Sequence, residues 1–78
     1  MNISTIVKST IATDVWFDEL KLYVRLNDGR EMAIPLDWFP TLRDATESQR
    51  NKWRWIGRGE GIHWEELDED LLVEGLIK

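Results

Sequence analysis

The residue best suited to acid–base chemistry is the single histidine of the chain, His63. It stands in the segment Gly61-Ile62-His63-Trp64, with Glu65 and Glu66 directly behind it. A histidine oriented by a carboxylate can serve as a general base. The chain has no cysteine, however, and no serine or threonine stands in a recognisable nucleophile motif. We therefore interpret His63 as a hydrogen-bonded structural residue and expect the chain not to be an enzyme.

Carboxylates follow this histidine closely, at Glu65, Glu66, Asp68, Glu69 and Asp70. Their spacing does not match the alternating ligands and central glycine of a calcium-binding loop. The lack of cysteine and the lone histidine also exclude the usual thiolate and histidine-clustered metal sites. We expect neither a metal nor a cofactor, and interpret the carboxylates as a helix cap with a solvated acidic face.

The glycine-rich segment Gly57-Arg58-Gly59-Glu60-Gly61 is the nearest approach to a phosphate-binding loop. Such loops follow a strand and open a helix, so that backbone N–H groups face the phosphate. Here the glycines follow a predicted helix and lead into a predicted strand, and Glu60 would repel phosphate. The segment is therefore interpreted as a turn.

Two candidate binding surfaces remain. The first is acidic and apolar, would dock a basic protein, and consists of Asp68, Glu69, Asp70, Leu72 and Leu76. The second would bind single-stranded nucleic acid or a nucleotide through stacking and phosphate contacts, and consists of Arg43, Arg50, Arg54, Trp55 and His63. Arginine and tryptophan are also common in protein interfaces, and arginines on an exposed helix face are ordinary.

The charge distribution favours the acidic surface. The 78-residue chain has a net charge of −5, yet residues 41–58 carry five basic and two acidic groups while residues 59–78 carry one basic and seven acidic groups. Because phosphate contacts dominate nucleic-acid affinity, a nucleic-acid binder usually shows the opposite balance. We expect a small basic protein as partner, with nucleic acid as the secondary hypothesis.

The length and composition describe one small domain. A chain this short buries only about 60% of the surface that its unfolded form exposes. Its core must therefore gain stability from the five tryptophans or from association with another chain, for example in a homodimer. No apolar run approaches the roughly 20 residues of a membrane-spanning helix. The N-terminus lacks the pattern of a signal peptide, and a cytoplasmic protein is expected.

Strands are predicted in the first half. Residues 1–13 are predicted to form an N-terminal arm or edge strand, and residues 14–78 a single α+β domain. Val15-Trp16-Phe17 is a short strand, and the apolar positions from Leu20 to Leu26 alternate with period two, which predicts a strand with one buried face. Asp28-Gly29 predicts a tight hairpin turn, and the return strand ends at Pro35. This predicts a three-stranded antiparallel meander, its end covered by Trp38 and Phe39.

Helices are predicted in the second half. From Leu42 to about Arg54, apolar residues recur on one side of a helix and should pack on the sheet. Thr46 with Gln49 has the form of a capping box, which allows the regular helix to begin at Thr46. After the glycine-rich turn, Ile62-His63-Trp64 is a short strand. Asp68 is the predicted N-cap of a C-terminal helix whose apolar face docks on the core or on a partner.

These segments together resemble a known family. The strings that carry the resemblance are Asp28-Gly29-Arg30, Ile34-Pro35-Leu36-Asp37-Trp38-Phe39-Pro40-Thr41-Leu42, Gln49-Arg50-Asn51, Gly59-Glu60-Gly61-Ile62-His63-Trp64 and Leu67-Asp68-Glu69-Asp70. Over residues 14–77 the chain resembles DUF2442, a family of small bacterial domains of unknown function. Leu72 departs from the pattern, since a small polar residue is commoner there, and adds apolar surface.

The resemblance implies a small α+β fold in a bacterial cytoplasmic protein without an established enzymatic activity. It also implies a partner, because family members often look like the companion of a small basic protein encoded beside them, in the manner of a toxin–antitoxin pair. The family supplies no accepted catalytic residues, so none is expected here. The first functional hypothesis is therefore an antitoxin-like, non-enzymatic protein-interaction module.

Overall fold

The structure, a computed structural model, describes residues 10–77. Within this range the chain forms two three-stranded antiparallel sheets and three helices of a single turn each. The strands are β1 (Ala12–Phe17), β2 (Lys21–Leu26), β3 (Glu31–Pro35), β4 (Arg54–Ile56), β5 (Gly61–Trp64) and β6 (Glu69–Leu72). The helices are α1 (Pro40–Arg43), α2 (Glu47–Arg50) and α3 (Val73–Leu76). The predicted α+β class is confirmed.

The first sheet has the order β1-β2-β3, and the predicted meander is confirmed. Leu22, Val24 and Leu26 alternate along β2 and are buried on its inner face, as a strand with one solvated face requires. The β2–β3 hairpin closes at Gly29, whose φ of 95° suits a residue without a Cβ atom. Pro35 is the last residue of β3, where its missing N–H is tolerated.

The second sheet has the order β4-β5-β6 and was only partly predicted. The strand at Ile62-His63-Trp64 and the glycine-rich turn before it are both confirmed, since residues 57–60 join β4 to β5. Gly59 adopts a φ of 113°, and a Cβ atom there would lie 2.4 Å from the carbonyl oxygen of Ala12. The Ala12 N–H in turn donates to the Gly59 carbonyl at 2.9 Å. This turn therefore ties the second sheet to the start of β1.

The predicted central helix from Leu42 to Arg54 is wrong as one element. The chain instead forms α1 and α2 and then enters β4. The break has a local cause, because Thr46 adopts an extended conformation and caps α2 through the predicted capping box, with its side chain accepting from the Gln49 N–H. Arg54 then pairs with His63 across the second sheet. A single turn of helix has little stability alone, and strand pairing prevails from Arg54 onward.

The predicted C-terminal helix with Asp68 as its N-cap is also wrong. Residues from Glu69 to Leu72 form β6, which pairs with β5, and helix remains only at α3. Asp68 has a φ of 52° in the turn before β6, a left-handed conformation that Asp tolerates better than most residues. The pairing buries Leu71 beside Ile62. An isolated helix could not match the free energy that this burial contributes.

Both sheets contribute to one core. Trp64 of β5 is fully buried, its indole N–H donates to the Arg50 carbonyl at 2.8 Å, and its ring meets Phe17 edge to face. These contacts join β1, α2 and β5. The remaining buried apolar residues come from both halves of the chain and include Leu22, Val24, Leu36, Leu42, Ile62 and Val73.

Two apolar residues lie elsewhere than expected. Leu20 precedes β2 and is 75% exposed, so it does not belong to the buried face of that strand. Phe39 packs against the core as predicted, whereas Trp38 is 67% exposed and covers nothing. Of the predicted N-terminal arm or edge strand, residues 12 and 13 belong to β1 and residues 1–9 lie outside the described residues.

Candidate functional site

A row of polar side chains crosses the outer face of the second sheet. Arg54 of β4, His63 of β5 and Asp70 of β6 are direct neighbours in the strand register. Side chains at paired positions of an antiparallel sheet project on the same face. The adjacent residues of these strands, Ile62 and Leu71, are buried on the opposite face of the sheet. The polar row therefore lies on the surface that the second sheet turns away from the core.

An apolar row accompanies it on the same face. Ile56, Gly61 and Leu72 are paired across the three strands. A Cβ atom added at Gly61 would lie 3.0 Å from Cδ2 of Leu72 and 3.1 Å from Cδ1 of Ile56. The two side chains therefore close over the glycine from both sides. Leu72 remains 58% exposed, so this row forms an apolar strip at the surface.

His63 is held by a carboxylate at the centre of the face. Its Nδ1 hydrogen-bonds to the Asp70 carboxylate, and 22% of its side chain is exposed. A carboxylate on Nδ1 fixes the orientation of an imidazole, as in acid–base catalysis. Among the described residues, however, no hydroxyl is hydrogen-bonded to His63, and the chain has no thiol. The arrangement can position a histidine for binding and contains no adjacent nucleophile.

The turn between β5 and β6 carries the acidic residues of the face. Glu66 pairs with Lys52 at 3.2 Å and Glu65 with Arg54 at 3.8 Å. Both pairs are exposed, and exposed pairs contribute little to stability. Within residues 10–77 no group of three histidine or acidic side chains is placed to hold a metal ion. The described side-chain contacts of Glu65 and Glu66 are thus these two exposed ion pairs.

Shallow depressions line this face. One of about 510 Å³ lies among Trp53, Arg54, His63 and the acidic turn, and another of about 400 Å³ lies among Arg54, Ile56, His63 and Asp70. They share Arg54 and His63, and so form one continuous surface. This surface is called the second-sheet face below, and it consists of Arg54, Ile56, His63, Asp70 and Leu72 with the acidic turn of residues 65–68.

The residues predicted to bind a protein partner are divided by the strand. Asp70 and Leu72 lie on the second-sheet face, and Asp68 is exposed in its acidic turn. Glu69 is half-buried on the opposite face of β6, and Leu76 is half-buried on α3 against the core. Strand alternation explains the division, because neighbouring residues project on opposite faces.

The residues predicted to bind nucleic acid are divided as well. Arg54 and His63 lie on the second-sheet face, whereas Trp55 pairs with the buried Ile62, packs against Trp53 and lines only the smaller of the two depressions. Arg50 is committed within the fold, since Nε donates to the Leu42 carbonyl at 2.8 Å and Nη2 to the Arg43 carbonyl at 2.7 Å. The arginine stripe of the predicted helix does not exist as one surface.

Arg43 is likewise paired with carboxylates close to it in the chain. Its guanidinium contacts Asp44 at 3.0 Å and Asp37 at 3.7 Å. The hydrogen bond to Asp44 raises the pKa of Arg43 and lowers that of Asp44. Arg43 therefore lies on α1 in an ion pair, apart from Arg54 on β4.

Sequence reasoning did not identify Ile56 as part of the site, and it did not place Arg54 and Asp70 on either side of His63 in one sheet. It divided Arg54 and Asp70 between competing surfaces. The missed signal is the hairpin that joins Gly61–Trp64 to Glu69–Leu72 through an Asp in the left-handed conformation. If this segment is interpreted as a hairpin, residues 63 and 70 become strand partners. Residues from both predicted surfaces then lie on one face of the sheet.

The fold is shared with a solved structure of a protein of unknown function from Rhodospirillum rubrum ATCC 11170. The similarity has a TM-score of 0.76 and 30% sequence identity, and it covers 90% of this chain and 87% of that one. No curated protein matches the sequence significantly, and no helix among residues 10–77 is long and apolar enough to cross a membrane. The model of the family described as a protein of unknown function (DUF2442) matches residues 12–78. The chain belongs to the DUF2442 family.

Proposed function

We propose that this chain is a non-enzymatic protein-interaction module whose second-sheet face docks a small basic protein. The observation that carries the proposal is Leu72, a large apolar side chain exposed on a regular strand, with the Asp70 carboxylate two residues before it on the same face. Leucine on such a strand gains about 1.5–3 kcal/mol when it is fully buried. A partner supplies that burial, and the acidic turn selects a basic one through complementary charge.

The antitoxin-like role follows from the same surface. A neutralising partner must cover the functional face of a basic protein, and an apolar strip beside Asp70 and the acidic turn is suited to this. The lack of a described nucleophile beside His63 supports a binding role over a catalytic one. The contact is proposed to take place in the cytoplasm, as the family resemblance implies for a partner encoded nearby.

The test is purification of the tagged full chain from its native host, with mass analysis and light scattering of the product. A stoichiometric small basic protein is the expected result. A monomer or homodimer without a partner would contradict the proposal.

Variants then locate the contact. Leu72→Ser leaves every described hydrogen bond in place and should weaken the complex, because it removes only apolar surface. Asp68→Lys with Asp70→Lys should weaken it more, and most strongly at low salt. Glu31→Lys on β3, where the exposed carboxylate pairs with Arg25, is the matched control and should have no effect. Equal affinity in all four proteins would remove the second-sheet face as the site.

Nucleic-acid or nucleotide binding is the alternative that the same protein can test. Arg54 and His63 would then contact phosphate on the second-sheet face, beside the carboxylates of Glu65 and Asp70. Fluorescence anisotropy with single-stranded oligonucleotides would show salt-sensitive binding at micromolar concentration if this alternative holds.

A further inference from the structure

Two large apolar side chains are exposed together at one end of the first sheet. Leu20, in the turn between β1 and β2, is 75% exposed, and Trp38, in the single 3-10 turn after β3, is 67% exposed. The two turns are joined directly, since the Leu36 N–H donates to the Leu20 carbonyl at 2.9 Å. Leu20, Trp38 and Leu72 are the exposed large apolar residues of the described chain, so two of the three lie here.

The turn that presents Leu20 is rigid. The Asp18 carboxylate accepts hydrogen bonds from the N–H groups of Leu20 and Lys21, both at 2.8 Å, and from the Tyr23 hydroxyl at 2.5 Å. The Asp18 N–H also donates to the Lys21 carbonyl at 3.1 Å. The backbone that carries the exposed leucine is therefore fixed by hydrogen bonds before any partner arrives, which lowers the entropic cost of binding.

The turn that presents Trp38 is equally constrained. It lies between Pro35 and Pro40, and the Phe39 N–H donates to the Leu36 carbonyl at 2.9 Å. Leu36 and Phe39 pack into the core on either side, so the turn is anchored without Trp38. Tryptophan is enriched among the residues that dominate interface energies, and this one has no role in the core.

Carboxylates lie next to the two side chains. Glu19 adjoins Leu20 and Asp37 adjoins Trp38 in the chain, and Glu47 and Arg50 of α2 line a depression of about 250 Å³ together with Asp18 and Glu19. Asp37 is 3.7 Å from Arg43, while the side chains of Glu19 and Glu47 make no hydrogen bond or ion pair with a described residue. The segments that form this end carry five carboxylates and three cations, Lys21, Arg43 and Arg50, so that the exposed apolar side chains lie in a region with an excess of negative charge.

We propose that this end, formed by Glu19, Leu20, Asp37, Trp38 and Glu47, is a second docking surface, and that it binds a basic protein segment with an apolar stripe. The charge decides the occupant. A second copy of the chain would place identical acidic surfaces against each other in a two-fold contact, and their repulsion would oppose it. A basic segment is attracted by the same carboxylates and covers Leu20 and Trp38 with its apolar side chains.

The surface differs from the second-sheet face in its elements and does not depend on it. Its residues belong to the β1–β2 turn, the turn after β3 and α2, whereas Leu72 belongs to β6. Each can therefore fail a test while the other passes.

The probe is a labelled amphipathic helical peptide with a leucine stripe flanked by lysines. A scrambled peptide of the same composition, which lacks the stripe, is the control. Two-dimensional NMR of the full chain follows the Trp38 indole N–H, assigned with Trp38→Phe, and the backbone N–H of Leu20. Both resonances should shift saturably with the probe and much less with the scrambled peptide.

A matched set of variants measures the affinity by peptide anisotropy. Leu20→Ser with Trp38→Ser should weaken binding by at least about tenfold, as hot-spot residues do, and should remain folded because both side chains are exposed. Glu19→Lys with Glu47→Lys should weaken binding mainly at low salt. Glu31→Lys on β3, which belongs to neither surface, is the control and should leave the peptide affinity unchanged.

Three results would overturn the proposal. Resonance shifts confined to β4 and β6 would assign the peptide to the second-sheet face instead. Equal affinity for a peptide with glutamates in place of lysines would remove the charge argument. A dimer in light scattering that Leu20→Ser with Trp38→Ser dissociates would show that a second copy is the occupant.

Discussion

The Asp18 carboxylate is the side chain on which the β1–β2 turn depends. It accepts hydrogen bonds from two backbone N–H groups and the Tyr23 hydroxyl. The Tyr23 hydroxyl, followed by the N–H groups of Leu20 and Lys21, holds the pKa of Asp18 below its usual 3.8, and the same bond raises the pKa of Tyr23. All three donors favour the ionised carboxylate.

The stability that Asp18 contributes should depend on pH. Because its pKa is lower in the folded chain than in the unfolded one, the contribution is complete above 3.8 and is lost as the pH falls through the folded pKa. Asp18→Asn should therefore be less stable than the parent at neutral pH, and the difference should shrink in acid. Urea unfolding across this range measures it.

Tyr23→Phe provides the control for that prediction. Without the phenol, the pKa of Asp18 should rise toward its ordinary value, so the loss of stability in acid should be smaller and should be complete at a higher pH. Combined with Asp18→Asn, the change should have little further effect, because both remove one interaction. A difference between Asp18→Asn and the parent that is constant with pH would contradict the role of the ionised carboxylate.

Individual residues were predicted best where their effect is local. The capping box at Thr46 and the turn at Asp28-Gly29 were both expected and are both present. Such features depend on two to four adjacent residues, whose conformational preferences act before any tertiary contact forms. The hydrogen bond from His63 to Asp70 joins residues on two strands, and the sequence did not indicate which carboxylate would accept it.

Among the elements, the β4–β5 turn has the strictest steric requirement. Gly59→Ala should destabilise the fold by about 2–3 kcal/mol, since the new methyl would meet the Ala12 carbonyl and the backbone has a positive φ. Gly75→Ala on α3, where nothing lies within 4 Å of the new atom, should be neutral or stabilise by up to about 1 kcal/mol. Thermal unfolding distinguishes them, and equal effects would contradict the assigned contact.

The connection between α1 and α2 depends on Arg50. Its guanidinium satisfies the Leu42 and Arg43 carbonyls at the end of α1, where a helix leaves acceptors without partners. Arg50→Lys should cost about 1–2 kcal/mol, because an ammonium cannot reproduce the fork. Arg43→Lys changes only exposed ion pairs and should cost less than about 0.5 kcal/mol. Chemical denaturation that ranks them in the reverse order would contradict this assignment.

Helices were overpredicted for a physical reason. Apolar residues from Leu42 to Trp53 match the period of a helix. In the structure, however, this stretch is divided between α1, α2 and the residues that lead into β4. Short helices have little stability of their own, whereas Trp55 and Leu71 gain burial by joining a sheet through Ile62. That gain comes from partners distant in sequence, which a local period does not contain.

The whole molecule should unfold as one unit, because the two sheets share a core. Leu22→Ala in β2 should cost about 2–5 kcal/mol. Trp64→Phe in β5 should also be destabilising, since it opens space beside Phe17 and leaves the Arg50 carbonyl without its donor. Each substitution should lower amide protection in both sheets by a similar factor, as measured by hydrogen exchange. Loss of protection in one sheet alone would show two independent units.

The folded molecule has two acidic surface regions, whereas the net charges of the sequence segments indicated only one. The net charge of residues 59–78 predicted an acidic docking surface on a C-terminal helix, and part of that set lies on the second-sheet face. The acidic end around Leu20 and Trp38 was not predicted, because its carboxylates come from three separate segments of a stretch without a strong net charge. Folding brings Glu19, Asp37 and Glu47 to one end of the molecule and exposes the apolar residues between them.

The sequence by itself determined the first meander, the tight turns, the capping box, the α+β class and the family. These follow from neighbouring residues, whose conformational preferences and alternation operate within a strand or a turn. Only the tertiary structure decided that Glu69–Leu72 is a strand, that Arg54, His63 and Asp70 share a face, and that Leu20 and Trp38 remain outside the core. Each of these outcomes depends on which distant segments compete for the same buried surface, and that competition is resolved only when the chain packs.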